Sequence, residues 1–293
     1  MQFGARRLRR FIVGRLEDQG TTQQPAPSPV EGLSPIPILK RPKGRDPGAV
    51  SECDSPTSLV FPQRSIILRA AQSRMSGSHD LKKYRRRLQD KSRAERYAHR
   101  FETGARQGID RREQNAVKKI LADLKDCASV LDVPSGAGRF LSTLSDGGRT
   151  VLEMDVAFEI LEFAQKKAAA GPSPALVLQG DASRLPLTDN AVDCVFSNRL
   201  LHHIHLPAER RTLLREFHRV CRRWAVVSFF NYKGMARLRR LLKRLKGRKP
   251  PYENQPTFDQ FKTEAEQVGF TVKALVPIGP PWLSQKYVVL EKR

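Results

Sequence analysis

Cysteine is scarce in this 293-residue chain: there are four, Cys53, Cys127, Cys194 and Cys221, and no two lie closer than 27 residues. That spacing excludes a paired CxxC zinc site and a dense disulfide framework, so no metal set is expected and a reducing, cytoplasmic compartment is the simplest setting. Long apolar runs are absent too, since even 274–285 is cut by Pro277, Pro280 and Pro281, which argues against a transmembrane helix. Aromatic residues make up 7% and do not interleave with the basic runs, unlike a binder that stacks single-stranded bases. Acidic residues are few beside basic ones: 30 against 53 leaves a net charge of +23. Such a field attracts polyanions without choosing among RNA, an acidic membrane and an acidic small substrate. With 39% hydrophobic and 28% charged residues, wholesale disorder and collagen-like repetition are excluded.

Nine of the twenty prolines fall in residues 1–74, in pieces such as PAPSP and PIPILKRPKGRDP, with no sustained period. That composition reads as a disordered Pro-rich leader, either a flexible arm or a stretch outside the native enzyme, because patterned sequence begins only after Met75. The opening MQFGARRLRRFIVGRL has an apolar core too short for a secretory signal, and its Arg-rich, acid-free character leaves a transit peptide as the alternative. Residues 75–127 read as a basic helical region: one charged helix over 80–102, then a second from about Asp110 with an apolar stripe of Ala116, Ile120, Leu121 and Leu124. From 128 onward short apolar runs at 130–133, 150–154, 175–178, 192–197 and 225–230 alternate with helical stretches at 158–170 and 208–220. Strand and helix in alternation predict a doubly wound, mostly parallel sheet, with its ligand crevice at the carboxyl ends of the strands. Residues 258–268 read as a further helix, followed by closing strands at 269–272 and 286–290, and Pro280-Pro281-Trp282 between them is a candidate pocket wall.

Three loops lie at predicted strand ends. In LDVPSGAGRF, Gly136 and Gly138 sit where a strand meets a helix, and glycine permits a left-handed turn and close backbone approach to a ligand. Asp155 follows 17 residues after Gly138, where a carboxylate can accept from the two hydroxyls of a ribose, or else cap the helix beginning near Val156. Glu153 is a rival on the same strand. In GDASRLP, Asp181 can accept from an exocyclic amine while Leu185 and Pro186 wall a flat ring, although the same residues also make an ordinary turn.

Taken together, VLDVPSGAGRF, VLEMDVAFEILEFAQKKA, LQGDASRLPLTDNAVDCVFSN and LLHHI resemble the class I S-adenosylmethionine-dependent methyltransferases, above all those acting on small molecules and lipids. The resemblance covers about residues 95–230 well and the remainder more loosely. It implies a Rossmann-like, mostly parallel seven-stranded sheet with an antiparallel C-terminal hairpin strand, and S-adenosyl-L-methionine as cofactor. It places Asp132, Gly136 and Gly138 at the methionine end, with Pro134 and Ser135 in the same loop, Asp155 and Val156 at the ribose, Asp181 and Ala182 at the adenine, and Asn198 at the end of the fourth strand. Pro134 departs from the family's usual glycine; proline donates no N–H and fixes φ, so the turn must fall on Ser135 and Gly136. Leu141 in place of a third glycine, and the want of a Tyr-x-x-x-Lys pair, argue against a nicotinamide dehydrogenase.

Methyl transfer needs a base only if the acceptor carries a proton, and His203 and His202, just after the fourth strand, are the candidates, each with a purely structural alternative. Residues 233–250 form a basic insert in which Leu238, Leu241, Leu242 and Leu245 make a helical stripe among nine basic residues of 233–249. It suits an anionic membrane surface, RNA phosphates, an acidic substrate, or simple packing on the sheet. The expected function is therefore methyl transfer to an O, N or C nucleophile of a small-molecule or lipid-like acceptor. RNA- or protein-directed methylation, and a non-catalytic binding module on the same fold, are the alternatives. Nothing in the sequence sets an oligomeric state.

Overall fold

The computed structural model describes the backbone of residues 67–69, and residues 90–171, 175–230, 245, 247, 256–280 and 283–293. The leader apart from 67–69, the first half of the helix expected over 80–102, nearly all of the basic insert and the Pro281-Trp282 pair lie outside the described residues.

The strands are β1 (Ile67–Arg69), β2 (Ser129–Asp132), β3 (Thr150–Asp155), β4 (Ala175–Gln179), β5 (Val192–Ser197), β6 (Cys221–Phe230), β7 (Phe270–Pro277) and β8 (Gln285–Lys292). The helices are α1 (Lys91–Ala98), α2 (Gly104–Asp123), α3 (Leu141–Ser145), α4 (Phe158–Ala170), α5 (Pro207–Val220) and α6 (Phe258–Gln267). They form one sheet in the order β1-β4-β3-β2-β5-β6-β8-β7, in which β8 runs antiparallel to both neighbours and the other pairs are parallel. The seven expected strands are thus present with their antiparallel C-terminal hairpin, and Ile67–Arg69, from within the Pro-rich leader, adds an edge strand on β4.

Helices cover both faces. Every residue of β2 and β3 is buried, which is why Val130-Leu131 and Val151-Leu152 are adjacent apolar pairs rather than apolar residues alternating with polar ones. Successive side chains still point to opposite faces. Val130 and Val151 pack with Ile120, Leu121, Leu144 and Leu161 of α2, α3 and α4, whereas Leu131 and Leu152 pack with Leu213, Phe217 and Phe261 of α5 and α6. A buried Arg210–Glu264 pair, at 2.6 Å and 2.8 Å, ties α5 to α6, and Arg210 also donates to the carbonyls of Ile204 and His205.

Two boundaries differ from expectation for visible reasons. Strand β6 starts at Cys221 rather than 225 because its polar opening is paired: Arg222 reaches Asp193 at 2.6 Å and Arg223 reaches Glu291 at 2.8 Å. Helix α1 stops at Ala98, short of 102, and the turn that follows lets the Arg100 guanidinium stack 3.9 Å from the Tyr97 ring and 4.6 Å from the Phe101 ring.

Chain order reverses at β2, which lies between β3 on one side and β5 on the other. The crevice beyond the carboxyl ends of these strands is the topological switch point of the sheet.

Candidate active site

The glycine loop is stitched to both neighbours of β2. Val133 N–H donates to the Phe196 carbonyl at 2.9 Å and Ser135 N–H to the Met154 carbonyl at 2.9 Å. Gly136 and Gly138 take φ of 58° and 66°, so the turn falls on Gly136 as the proline requires. The two glycines do different work. A Cβ on Gly136 would project into the space beside Tyr97, 3.7 Å from its ring, whereas one on Gly138 would meet the α4 backbone, 3.1 Å from the Ala164 Cα. Gly138→Ala is accordingly expected to cost about 1–3 kcal/mol through forced backbone strain and overpacking, with a matching fall in the urea midpoint.

Asp155, at the end of β3, is fully buried; its Oδ2 accepts from Gly136 N–H and its Oδ1 from Ala157 N–H, both at 3.0 Å. It therefore both ties the glycine loop to the next strand and braces the entry to α4. A carboxylate has about four lone-pair positions, so these bonds leave acceptor capacity for hydroxyl donors. Asp181 Oδ1 accepts from the Ser183 backbone and hydroxyl at 2.8 Å each.

Asp132 and Glu153 are buried beneath the loop, and neither Asp132 oxygen has a hydrogen-bond partner among the described residues. Burial, then the Glu153 and Asp155 charges, push the Asp132 carboxyl well above the usual range, with Arg139 opposing. Burial likewise raises Glu153 to about 8, against the pull of the Ser135 hydroxyl and Lys167. An acid raised in this way contributes stability in full below its ordinary value and loses it as pH rises through the folded value. Unfolding free energy should therefore fall from pH 6 to pH 9, and Glu153→Gln should flatten that slope in part, Asp132 carrying the rest; urea titrations at the two pH values measure it.

A cavity of about 370 Å³ lies at the switch point, within the range of small-molecule sites. Pro134, Ser135, Gly136, Asp155, Val156, Asp181, Ala182, Asn198, His202 and His203 all line it, and Asp132 and Gly138 stand behind its wall. Asn198 faces inward with its Oδ1 accepting from the Tyr287 hydroxyl at 3.2 Å and from Gln285 at 3.4 Å. His202 and His203 sit in the 3-10 turn Leu201–His203 with ring centroids 3.9 Å apart. Burial, with His203, Arg199 and Arg100 nearby, pushes His202 down to about 2, so its ring is neutral and a very weak base. His203 is exposed.

The rest of the wall escaped the sequence reading. Tyr97, Ala98, Arg100 and Phe101, from α1 and the turn after it, line the cavity, as do Arg139 and Arg199. Glu113 of α2, with no exposed surface, joins those two arginines: Arg139 Nη2 lies 2.6 Å from Oε2 and Arg199 Nη2 lies 2.7 Å from Oε1, while Gln285 also donates to Oε1. Arg139 pairs with Asp110 as well. Arg139 and Arg199 each adjoin a motif residue, Gly138 and Asn198, which was the one available signal.

A doubly wound sheet with a glycine loop at its switch point, acidic residues at the next two strand ends and a cavity between them defines a nucleoside-cofactor domain of the methyltransferase type. Residues 131–229 match the model of the family described as methyltransferase domain, and this domain is of the class I S-adenosylmethionine-dependent methyltransferase kind. It is similar to the malonyl-[acyl-carrier protein] O-methyltransferase of Hamiltonella defensa, 32% identical over 134 residues, which are 46% of this chain and 48% of that protein. It is also similar to the enzyme of the same description from Pectobacterium atrosepticum, 34% identical over 101 residues, 34% of this chain and 37% of that one. The chain spans about half or less of the length of these curated relatives. Among solved structures, Synechocystis magnesium protoporphyrin IX methyltransferase with bound S-adenosylhomocysteine covers 72% of this chain and 99% of its own, with TM-score 0.58 and 16% identity, a likeness of fold.

The residues present fit the family's cofactor on two observations: the unpartnered acid of Asp132 behind the loop, and the left-handed Gly136, whose missing Cβ leaves the space beside Tyr97 open.

Proposed function

We propose that this chain is an S-adenosylmethionine-dependent methyltransferase acting on a small-molecule or lipid-like acceptor that carries negative charge. The observation that carries this reading is the cavity itself, which is lined by the glycine loop, Asp155 and Asp181 and also by Arg100, Arg139 and Arg199.

Asp132 and the 134–138 loop would hold the methionine end, Asp155 the ribose hydroxyls, and Asp181 the adenine amine through Oδ2, which has no hydrogen-bond partner among the described residues. When bound, the cofactor supplies an activated methyl group on a positively charged sulfur. The protein's share of the rate is then largely positioning, which the packed loop and the strand ends provide. A hydroxyl or amine acceptor would have to give up a proton, and His203 suits that task better than the buried, neutral His202.

The +23 charge keeps RNA in view as an acceptor, and the basic insert as a contact for RNA phosphates or an anionic membrane surface. Among the described residues no helix is long and apolar enough to cross a membrane.

Calorimetric titration of the full chain with S-adenosylmethionine and S-adenosylhomocysteine, with NADH as control, tests the reading. Micromolar affinity for both sulfur compounds and none for NADH is expected; a folded sample that binds neither overturns it.

A further inference from the structure

One row of register partners crosses the sheet through β4, β3, β2, β5 and β6 as Val177, Glu153, Asp132, Phe196 and Val226. Register partners carry their side chains on one face, here the face covered by α2, α3 and α4, where Val177, Phe196 and Val226 belong to the apolar core. Two acids therefore stand side by side in the middle of an apolar row. Glu153 is 0% exposed and Asp132 1%, and all four carboxyl oxygens lack a hydrogen-bond partner among the described residues. Packing alone gives no reason for the pair, because two apolar side chains would fill the row at far lower cost. Glu153 also comes up against the glycine loop: its Oε2 lies 3.5 Å from the place that a Cβ on Gly138 would take.

The surroundings supply no bonded counter-charge. Arg139, just after the loop, draws on Asp132 but is itself bound to Glu113 and Asp110. Asp155 adds repulsion to both acids while accepting from the Gly136 and Ala157 N–H groups. The Tyr287 hydroxyl of β8 donates to Asn198. Lys167 of α4 is exposed, and it and the Ser135 hydroxyl favour an ionised Glu153 without reaching hydrogen-bond geometry. Neighbouring carboxyls that are out of water and have no bound cation retain a proton between them rather than ionise together, and a cation brought to them from outside reverses that balance.

We propose that Asp132 and Glu153 act as one acid pair, which keeps a proton in the free protein and releases it to solvent when the ammonium group of the bound cofactor arrives at the glycine loop. The inference rests on the methyltransferase reading above, which gives the methionine end to Asp132 and the loop; what it adds is Glu153 and the proton. One positive charge enters the buried site and one leaves, so the free protein never has to hold a bare pair of carboxylates, and the occupied site has a full negative charge to set against the ammonium.

Calorimetric titration of the full chain with S-adenosylhomocysteine at pH 6.5, in buffers of different ionisation enthalpy, counts the protons released. About one per ligand is expected, with affinity rising by up to about tenfold per pH unit between pH 6 and 7.5. The deaminated analogue of S-adenosylhomocysteine, which has no ammonium, should bind about fivefold or more weakly and release no proton. Glu153→Gln should release no more than about half as many protons as the parent, with a shallower pH dependence, because its amide can donate to Asp132 and lowers the pH at which that acid ionises. A Glu153 that served packing alone would change stability and leave the proton count as it was. Binding of S-adenosylhomocysteine without proton release, equal release with the deaminated analogue, or an undiminished count in Glu153→Gln overturns the proposal. A folded sample that binds neither ligand overturns the methyltransferase reading and this inference with it.

Discussion

Asp155→Ala is expected to raise the dissociation constant for S-adenosylhomocysteine roughly 30- to 150-fold, the loss of about 2–3 kcal/mol that two charge-assisted hydrogen bonds carry. The geometry makes the effect larger than that of a ligand contact alone. The carboxylate is the shared acceptor for Gly136 and Ala157, so its removal leaves two buried N–H groups unpaired and frees the glycine loop from the β3 end. Some of the loss should therefore appear without any ligand, as a fall of about 1–3 kcal/mol in unfolding free energy. Asp155→Asn separates the two roles. Its single carbonyl oxygen can satisfy one N–H, but its amide group opposes the other and offers ribose hydroxyls a donor in place of an acceptor. Calorimetry on both variants, beside urea unfolding of the free proteins, should show Asn recovering more stability than affinity. Unchanged affinity in Asp155→Ala would reduce the residue to a brace for α4.

The parts of this site that sequence reveals are those built from neighbours in the chain. Strands β2 and β3 announce themselves because burial on both faces places apolar residues side by side, Val130 with Leu131 and Val151 with Leu152, and each loop after them carries its glycine or acid within a few positions. Even so, adjacency did not separate the two glycines: nothing in GAG says that Gly136 faces the cavity and Gly138 the α4 backbone. That distinction depends on Ala164, 26 residues away, and on how closely α4 approaches the sheet. The arginine-lined wall was less legible, because it is assembled from α2, β8 and the turns after α1 and β5, which lie far apart in the chain. Gln285 and Glu113 meet across 172 positions. The turn that delivers Arg100 and Phe101 interrupts what periodicity reads as one continuous helix.

Glu113 does leave one trace. In α2 it stands three and four residues before Ala116 and Val117, so helical geometry puts it on the same face as Ile120, Leu121 and Leu124. A carboxylate on a buried stripe is stable only if it is paired, and here it receives Arg139 on one oxygen and Arg199 with Gln285 on the other. Glu113→Ala should cost about 3–5 kcal/mol, because it removes the buried carboxylate that Arg139 and Arg199 share and leaves their positive charges facing each other. For a domain of this size that is a drop of roughly 10 °C in Tm. Glu113→Gln keeps an oxygen to accept one arginine and should lose less. Its more telling consequence lies at the acceptor end: a neutral amide no longer holds the Arg199 fork by charge, so acceptor affinity should fall while S-adenosylhomocysteine affinity stays near that of the parent. Equal loss of both affinities in Glu113→Gln would mean that the residue serves the fold as a whole. A loss confined to the acceptor would make Glu113 the residue that positions Arg139 and Arg199 at the cavity wall.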